Sequence, residues 1–405
     1  MNALQKLAQF SVSGKQGFLY DAWKRLSEKV GSHKRTVVSG VDGVTLSSFS
    51  ANLEENLRSI AEELKAGKYH FAKLKPVFVE KPNGKDYRVI CVPTIRDRIT
   101  QIALQDFLSQ GDPYKFDNGV SFGFIKGQGV ETAIIRSIDL RDRLPFAYKT
   151  DIEKFFDTVN RTLLAAKLKK TVKHKSLHPI LLKAISCEIR QLSGAEARKI
   201  KSTAIKPGQG VRQGMPLSPF FSNLVLSDFD IAMIKKKYAM VRYADDLIVF
   251  SKSHEGCQEA HQFCKDRLNL LGLSIPDIGT SKTKIFQPTE DAEFLGLALQ
   301  MKSNGKYHCV VTKKQIEKIR DNILAYGNID LLSKEKITIT RYFKRLESVK
   351  SGYKAAYDVC SDQQKNHLFN QIDQWTANAK VGFYKNYLGL DLTNLSLEKK
   401  MFLEI

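Results

Sequence analysis

Two adjacent aspartates stand between two short apolar runs, and this arrangement constrains the fold more than any other feature of the chain. Residues 240–243 and 247–250 favour β-strands, and only Ala244, Asp245 and Asp246 separate them. We therefore predict a tight β-hairpin with both carboxylates at its turn. An Asp-Asp turn is ordinarily just solvated, because turns favour Asp. Here the flanking apolar runs predict a turn anchored in a core, where two like charges are costly unless a cation relieves them.

A third aspartate follows another β-favouring run earlier in the chain. Residues 145–149 lead into Thr150 and Asp151, which places Asp151 at the C-terminal end of the predicted strand. Mg²⁺ prefers carboxylate oxygen, and two divalent ions about 4 Å apart stabilise both ends of an in-line displacement at phosphorus. Asp151, Asp245 and Asp246 are therefore the candidate metal ligands, and nucleotide addition to a 3′ end is the candidate reaction.

The charge balance indicates a polyanionic partner. Lys and Arg number 64 and Asp and Glu 43, so the formal net charge is +21, and a surface this basic attracts nucleic acid. A basic protein without such a partner is the alternative. The six cysteines contain no CxxC pair, which is typical of free thiols in a reducing cytosol. No apolar run is long enough to span a bilayer, so we expect a cytoplasmic protein that does not contact membranes.

Patterns along the rest of the chain predict an α+β fold, with a sheet in the middle and helices around it. Residues 76–80 and 87–92 favour strands, and the Pro, Asn and Gly within 81–86 predict a hairpin turn between them. Apolar stripes predict helices over residues 1–35, 46–64, 94–108 and from about 313 onward.

Several blocks of sequence, in a fixed order, resemble the motifs of bacterial reverse transcriptases of the group II intron-like lineage. Tyr243, Ala244, Asp245 and Asp246 are similar to the active-site motif of that family. Their order carries the resemblance, since any single block is weak. The other blocks lie at residues 40–45, 81–98, 121–129, 151–157, 210–219, 282–283 and 294–296.

The resemblance implies a right-hand polymerase fold. Its palm is an antiparallel sheet that carries the Tyr-Ala-Asp-Asp hairpin. We expect an N-terminal helical extension and the start of the fingers over 1–75, fingers and palm over 76–300, and a helical thumb with a C-terminal extension over 301–405. The implied activity is RNA-directed DNA polymerisation with two Mg²⁺ ions, or Mn²⁺ in their place. The implied partners are an RNA template, a DNA or RNA primer and deoxynucleoside triphosphates.

The resemblance also implies how the incoming nucleotide is held. Lys81 and Arg88 flank the fingers hairpin, where cations can face a triphosphate. Phe156 would lie beneath the sugar and clash with a 2′-hydroxyl. Gln213 resembles the residue that touches sugar and base, and Gly214 lets the backbone approach closely. A solvated hairpin face and a core Phe are the ordinary alternatives.

Two further sites follow from the same resemblance. Lys282 is similar to a lysine near the leaving pyrophosphate, where it could act as a general acid, and its neighbour Lys284 is the alternative. Phe294, Leu295 and Gly296 resemble the primer grip.

Differences from the motifs of related groups indicate which branch of the reverse transcriptase family the chain resembles most. Residues 213–219 keep the form that diversity-generating enzymes alter, and Val311-Thr312 is followed by Lys313 where a retron would have Gly. About 110 residues follow Phe294, which suits a thumb. The chain is most similar to compact reverse transcriptases of the "unknown" groups, which implies phage defence with a partner noncoding RNA. An intron-encoded reverse transcriptase or maturase and a non-catalytic RNA-binding scaffold stay open, and so does the oligomeric state.

Four residues after the Asp-Asp hairpin are spaced like soft metal ligands. They are His254, Cys257, His261 and Cys264. Their offsets place all four on one face of a helix, and four ligands from one straight helix cannot close a tetrahedron around an ion. We therefore predict a half-buried helix face rather than a zinc site.

Overall fold

Antiparallel strands in three separate sheets form the framework of the protein. The computed structural model describes residues 1–30, 38–81, 84, 86–111, 113–328, 338–390, 392 and 395–403. The sheet orders are β1-β2, β4-β5-β3-β6 and β7-β8-β9. The strands are β1 (Lys75–Glu80), β2 (Tyr87–Val92), β3 (Phe146–Asp151), β4 (Ala239–Tyr243), β5 (Asp246–Ser251), β6 (Lys284–Phe286), β7 (Ala292–Phe294), β8 (Leu297–Met301) and β9 (Tyr307–Val311).

Helices surround these sheets, so the α+β class expected from the sequence is confirmed. The α-helices are Ala3–Leu7, Phe18–Lys29, Leu46–Ala51, Leu53–Lys65, Ile95–Leu108, Val130–Arg143, Phe155–Thr158, Arg161–Thr171, His178–Ile185, Gly194–Ile200, Ser218–Lys235, His254–Asn269, Lys313–Leu324, Ile339–Ala356, Asp362–Tyr387 and Leu397–Phe402, with 3₁₀ turns at Lys175–Leu177 and Ala325–Gly327. No described helix combines the length and apolarity needed to cross a bilayer.

The first predicted helix is interrupted. Residues 8–17 form a turn closed by a bridge between Ser11 and Gln16, and Gly17 begins the next helix at φ 103°. A Cβ on Gly17 would lie 2.4 Å from the carbonyl oxygen of Gln9, so only glycine fits this approach. Residues 31–37, which include the end of the predicted helix, lie outside the described residues.

The fingers hairpin has the expected pairing. β1 and β2 are in register from Lys75–Val92 to Glu80–Tyr87, so residues 81–86 connect them. Within this connection Pro82, Asn83 and Lys85 lie outside the described residues, and the backbone N–H of Lys81 donates to the carbonyl oxygen of Asp86. This hydrogen bond joins the first and last residues of the connection, Lys81 and Asp86.

The central sheet separates two hydrophobic cores. Side chains alternate along a strand, so Tyr148 of β3 enters one core and Ala147 enters the other. On β5, Val249 faces the first core and Ile248 the second. Because β4 and β5 are buried on both faces, their sequences are nearly continuous runs of apolar residues.

Candidate active site

Strand register brings the carboxylates of two separate motifs together. β3 and β5 pair antiparallel with Asp151 directly opposite Asp246. β4 and β5 pair with Tyr243 opposite Asp246, which leaves Ala244 and Asp245 as a two-residue turn. The backbone N–H of Ile152 donates to the carbonyl oxygen of Asp245 at 3.1 Å. The hairpin tip is thus bonded to the residue that follows Asp151.

The turn has a backbone conformation that an alanine rarely adopts. Ala244 has a φ of 57°, in the left-handed region, and it is buried. Gly123 packs against it so closely that a Cβ there would lie 2.4 Å from the Ala244 nitrogen. The amide of Asn223 donates to the carbonyl oxygen of Gly123 at 3.0 Å. Surrounding contacts therefore hold a turn that would otherwise be strained.

A buried arginine, which the motif reasoning missed, connects these parts. The Arg242 guanidinium donates to both carboxylate oxygens of Asp230, at 2.7 and 2.5 Å, and both side chains are almost fully buried. It also donates to the carbonyl oxygen of Ala244 at 3.1 Å, to Ser121 Oγ at 2.6 Å and to Asn223 Oδ1 at 3.2 Å. The signal in the sequence is one charged residue inside an apolar strand, which predicts a buried partner.

The carboxylates have unequal proton affinities. Burial, the hydrogen bond with Asp151 and the charge of Asp151 raise the pKa of Asp246 to about 7. Burial alone would raise the pKa of Asp151, but the hydrogen bonds with Asp246 and Lys282 and the charge of Lys282 bring it below its ordinary value. Burial raises the pKa of Asp245 against the opposing charges of Lys282 and Arg88. Two carboxylates this close hold one proton near neutral pH.

The structure distinguishes between the two candidate lysines. The Lys282 ammonium lies 2.9 Å from Asp151 Oδ2, and the contact raises the pKa of Lys282. Lys284 instead lies 3.7 Å from Glu290 and 4.9 Å from the centre of the Phe286 ring. The adjacent Thr283 is buried and shares a 2.7 Å hydrogen bond with Thr150, which fixes β6 against β3. Lys282 is therefore the lysine at the carboxylates.

The donor set has the chemistry of a hard divalent cation site. Asp151, Asp245 and Asp246 supply only carboxylate oxygens, and the negative charge of this group already attracts the Lys282 ammonium, which contacts Asp151. Among the residues that the structure describes, no group of three or more His, Cys, Asp or Glu side chains is positioned to hold an ion as it stands.

The loop before the helix Ser218–Lys235 is hydrogen-bonded to β2 and to the short helix Phe155–Thr158 that follows β3. The carbonyl oxygen of Gln213 accepts a 2.7 Å hydrogen bond from the Cys91 N–H on β2, and the N–H of Val211 donates to the carbonyl oxygen of Phe156 at 2.7 Å. Gly214 has a φ of 100°, and a Cβ there would lie 2.7 Å from the Cys91 carbonyl oxygen. These contacts bring Gln213, Gly214 and Phe156 into one region.

The other predicted nucleotide residues lie around the same region. The charge of Arg88 acts on Asp245, and the charge of Lys81, after that of Arg212, opposes the burial that raises the pKa of Asp157. Phe155 is buried, whereas Phe156 is half-buried, with the two ring centroids 5.3 Å apart. Phe156 is therefore only partly covered by the core, and the roles of these residues in nucleotide binding stay predictions.

A carboxylate outside the motifs anchors the Gln213 loop. Glu188 accepts from Arg161 and Arg212 at 2.6 Å each and from the N–H of Gly208 at 2.9 Å. Arg161 also donates to the carbonyl oxygen of Gly210 at 2.8 Å. Burial would raise the pKa of Glu188, but the bonds from Arg212 and Gly208 lower it below its ordinary value.

We expect Glu188→Gln to lower the free energy of unfolding by about 2 kcal/mol at pH 7, because charge-assisted hydrogen bonds are lost. A lowered folded pKa means that this contribution is complete above the unfolded value of about 4.3 and is lost as the pH falls through the folded value. Urea unfolding of both proteins between about pH 7 and pH 3.5 should show the difference shrinking in acid. The more exposed Arg190–Glu196 pair provides the control Glu196→Gln, with a smaller expected effect. A difference that does not change with pH would contradict the assignment.

The predicted primer grip is a tight hairpin. β7 and β8 pair with Phe294 opposite Leu297, so Leu295 and Gly296 form a two-residue turn. Both have positive φ, 53° and 83°, as the commonest two-residue hairpin requires. Phe294 is fully buried. Arg141 supports this sheet by donating to the carbonyl oxygen of Leu299 at 2.5 Å.

The helix His254–Asn269 carries the four candidate soft ligands. Cys257, His261 and Cys264 are buried against the central sheet. His261 Nδ1 shares a 2.9 Å hydrogen bond with the Tyr148 hydroxyl, so the predicted half-buried face packs as core.

The antiparallel central sheet, with Asp151 opposite Asp246 and Asp245 at the adjoining turn, has the arrangement expected for the palm of a right-hand polymerase fold. The family model described as reverse transcriptase (RNA-dependent DNA polymerase) matches residues 79–299, more than half of the chain. The chain belongs to the reverse transcriptase family.

Curated relatives support this membership at low identity. Protein YkfC of Escherichia coli strain K12 is 29% identical over 206 residues, covering 49% of this chain and 51% of the relative. The group II intron-encoded protein LtrA of Lactococcus lactis is 22% identical over 366 residues, covering 74% of this chain and 57% of LtrA. The chain thus spans about half the length of these curated relatives.

Solved structures show distant similarity. A partial Cas6-RT-Cas1–Cas2 complex aligns with 67% of this chain and 42% of that chain, at 22% identity and a TM-score of 0.38. A telomerase from Candida albicans in complex with a fragment of telomeric RNA aligns with 84% and 64%, at 13% identity and a TM-score of 0.40.

Proposed function

We propose that the protein is an RNA-directed DNA polymerase that adds deoxynucleotides to a primer 3′ end. The observation that carries the proposal is the register of Asp151 against Asp246, with Asp245 at the bonded turn beside them. The loop around Gln213, which is proposed to contact the nucleotide, is hydrogen-bonded to β2 and to Phe156, and this supports the proposal. The net charge of +21 suits a nucleic-acid duplex.

The three aspartates are proposed to hold two Mg²⁺ ions, with Mn²⁺ as a substitute. When bound, such ions stabilise the attacking and leaving oxygens of the displacement. Lys282 lies next to Asp151, so its ammonium can donate a proton to the leaving pyrophosphate. The charge of Arg88 on β2 acts on Asp245, and this guanidinium is proposed to bind triphosphate oxygens. The grip residues 294–296 are proposed to position the primer strand.

Primer extension tests the activity. The purified chain should extend a DNA or RNA primer on an RNA template with deoxynucleoside triphosphates and Mg²⁺. Chelation should stop the reaction. RNA binding without extension, across primers, templates and both divalent ions, would favour a non-catalytic scaffold instead.

We expect Phe156→Ala to reduce discrimination against ribonucleotides by about 10- to 100-fold, because the accessible ring no longer opposes a 2′-hydroxyl. The measurement is the ratio of kcat/KM for dNTP and rNTP at single positions. Phe155→Leu serves as the control, since Phe155 is a core residue and its substitution should lower stability while leaving the ratio unchanged. An unchanged ratio in Phe156→Ala would show that Phe156 does not contact the sugar of the incoming nucleotide.

We further propose a partner noncoding RNA as the template and antiviral defence in the cytoplasm as the setting. This finer proposal rests on the sequence resemblance to compact bacterial reverse transcriptases. Similarity to the intron-encoded protein LtrA favours a second candidate, an intron-encoded reverse transcriptase or maturase. Sequencing the RNA that copurifies with the chain separates the two, because intron domains in that RNA would overturn the defence proposal.

A further inference from the structure

Two lysines lie side by side on the central sheet, beside the carboxylates. Lys149 pairs with Lys284 across β3 and β6. Because side chains alternate along a strand, Lys149 shares its face with Asp151, which pairs in turn with Asp246. Directly opposed residues have Cβ atoms about 4.5–5.5 Å apart. The two side chains therefore start from neighbouring positions on one face of the sheet, and we call these two residues the lysine pair.

Carboxylates of the protein neutralise little of the positive charge of the lysine pair. Like charges directly opposed across a ladder repel. Among the described residues, no carboxylate oxygen lies within 4 Å of the Lys149 ammonium, and the pair Lys284–Glu290 is long, at 3.7 Å, and half exposed. The charge of Lys149 does act on Asp151 and Asp246. Under the proposed function those carboxylates hold divalent ions, which leaves an external anion as the partner of Lys149.

The direction of β3 indicates which anion this is. Residues after Asp151 lead to Phe156, the proposed sugar contact, so the incoming nucleotide belongs on that side. Lys149 lies on the other side of Asp151, where β3 contacts β7. β7 ends at the grip turn of Leu295 and Gly296. The strand that carries Lys149 therefore connects with both the carboxylates and the strand that leads to the grip turn.

We propose that Lys149 and Lys284 bind backbone phosphates of the primer next to its 3′ end. The inference rests on the proposed function, because it takes the carboxylates as the reacting centre. The triphosphate of the incoming nucleotide is the other source of phosphate oxygens near this site. Lys81 and Arg88, whose charges act on Asp157 and Asp245, are already the proposed contacts of the triphosphate, which favours the primer for the lysine pair.

The test uses Lys149→Gln, Lys284→Gln and the double variant of the full chain. Dissociation constants for a primer–template duplex are measured by fluorescence anisotropy across a salt titration, without nucleotide. We expect about a tenfold loss of affinity in the double variant, and a salt slope that falls by about 0.7–0.9 for each phosphate contact removed. Lys252→Gln is the matched control: it removes an exposed lysine just past the far end of β5 and should change neither quantity.

The possible results test the primer site and the proposed polymerase activity separately. Unchanged affinity and salt slope in the double variant would overturn the inference, even if the wild type extends primers. A raised KM for dNTP with unchanged duplex affinity would also overturn it and assign the lysines to the triphosphate. If the wild type binds the duplex but extends nothing, and the variants bind it more weakly, the primer site stands and the proposed activity fails.

Discussion

Asp246→Asn is expected to reduce the rate of nucleotide addition by at least about 1,000-fold, because it removes a carboxylate that no neighbouring group replaces. The fold should survive this change. Burial and Asp151 raise the pKa of Asp246 to about 7, so its ionised form weakens the folded state. A neutral amide of the same shape removes that cost.

Measurements of stability at different pH values test whether ionised Asp246 weakens the folded state. A raised folded pKa means that the protonated carboxyl stabilises the fold at low pH and that this contribution is lost as the pH rises through about 7. In chelator, the melting temperature of Asp246→Asn should therefore equal or exceed that of the wild type, and the gain should be larger at about pH 8 than at about pH 6.

The control for this prediction is Asp266→Asn, which neutralises an exposed aspartate on the helix His254–Asn269. It should keep both the rate and the melting curve. Single-nucleotide extension at saturating substrate gives the rate. An Asp246→Asn protein that extends primers within tenfold of the wild type would remove this residue from the reacting centre.

Arg242→Met is expected to be the most destabilising of the substitutions considered, at about 3–5 kcal/mol, because it leaves the Asp230 carboxylate buried without its cation. The double variant Arg242→Met with Asp230→Leu should recover most of that stability, since an apolar pair can replace a buried ion pair. It should not recover the rate. The Ala244 carbonyl, Ser121 and Asn223 would still lack the donor that holds the turn.

We expect a loss of about 100-fold in kcat for the double variant, because a small displacement of Asp245 and Asp246 misaligns the reacting groups. KM for dNTP should change little, and the Mg²⁺ concentration for half-maximal rate should rise. The single variant Arg242→Lys keeps a positive charge beside Asp230. Its rate should therefore lie between the rate of the double variant and that of the wild type. Arg25→Met with Asp106→Leu, which replaces a 2.6 Å ion pair outside the site, is the matched control. Wild-type kinetics in the Arg242 double variant would show that the pair serves stability alone.

The local sequence was sufficient for the elements that carry the chemistry. Two apolar runs around Asp245 and Asp246 predicted the hairpin, and the run before Asp151 predicted the end of β3. Both follow from short-range physics, because β-favouring residues pair across a turn of two residues.

The sequence was less informative where a choice depended on distant partners. Lys282 and Lys284 have the same side chain two positions apart, and only the contacts with Asp151 and Glu290 distinguish them. The break after residue 7 was missed because a helical spacing of apolar residues continues through it, while Gly17 must fit against Gln9.

The sequence by itself determined which carboxylates exist, the strands that carry them and the family to which the chain belongs. Only the tertiary structure decided how those carboxylates are held: Asp151 opposite Asp246, Arg242 bonded to the Ala244 turn, and Lys149 paired with Lys284. The physical reason is that strand register joins Asp151 to Asp246 and Lys149 to Lys284, 95 and 135 positions apart, and that the buried pair of Arg242 and Asp230 spans 12 positions. A pattern of neighbours along the chain fixes the strands, whereas packing of the two cores fixes which strands meet.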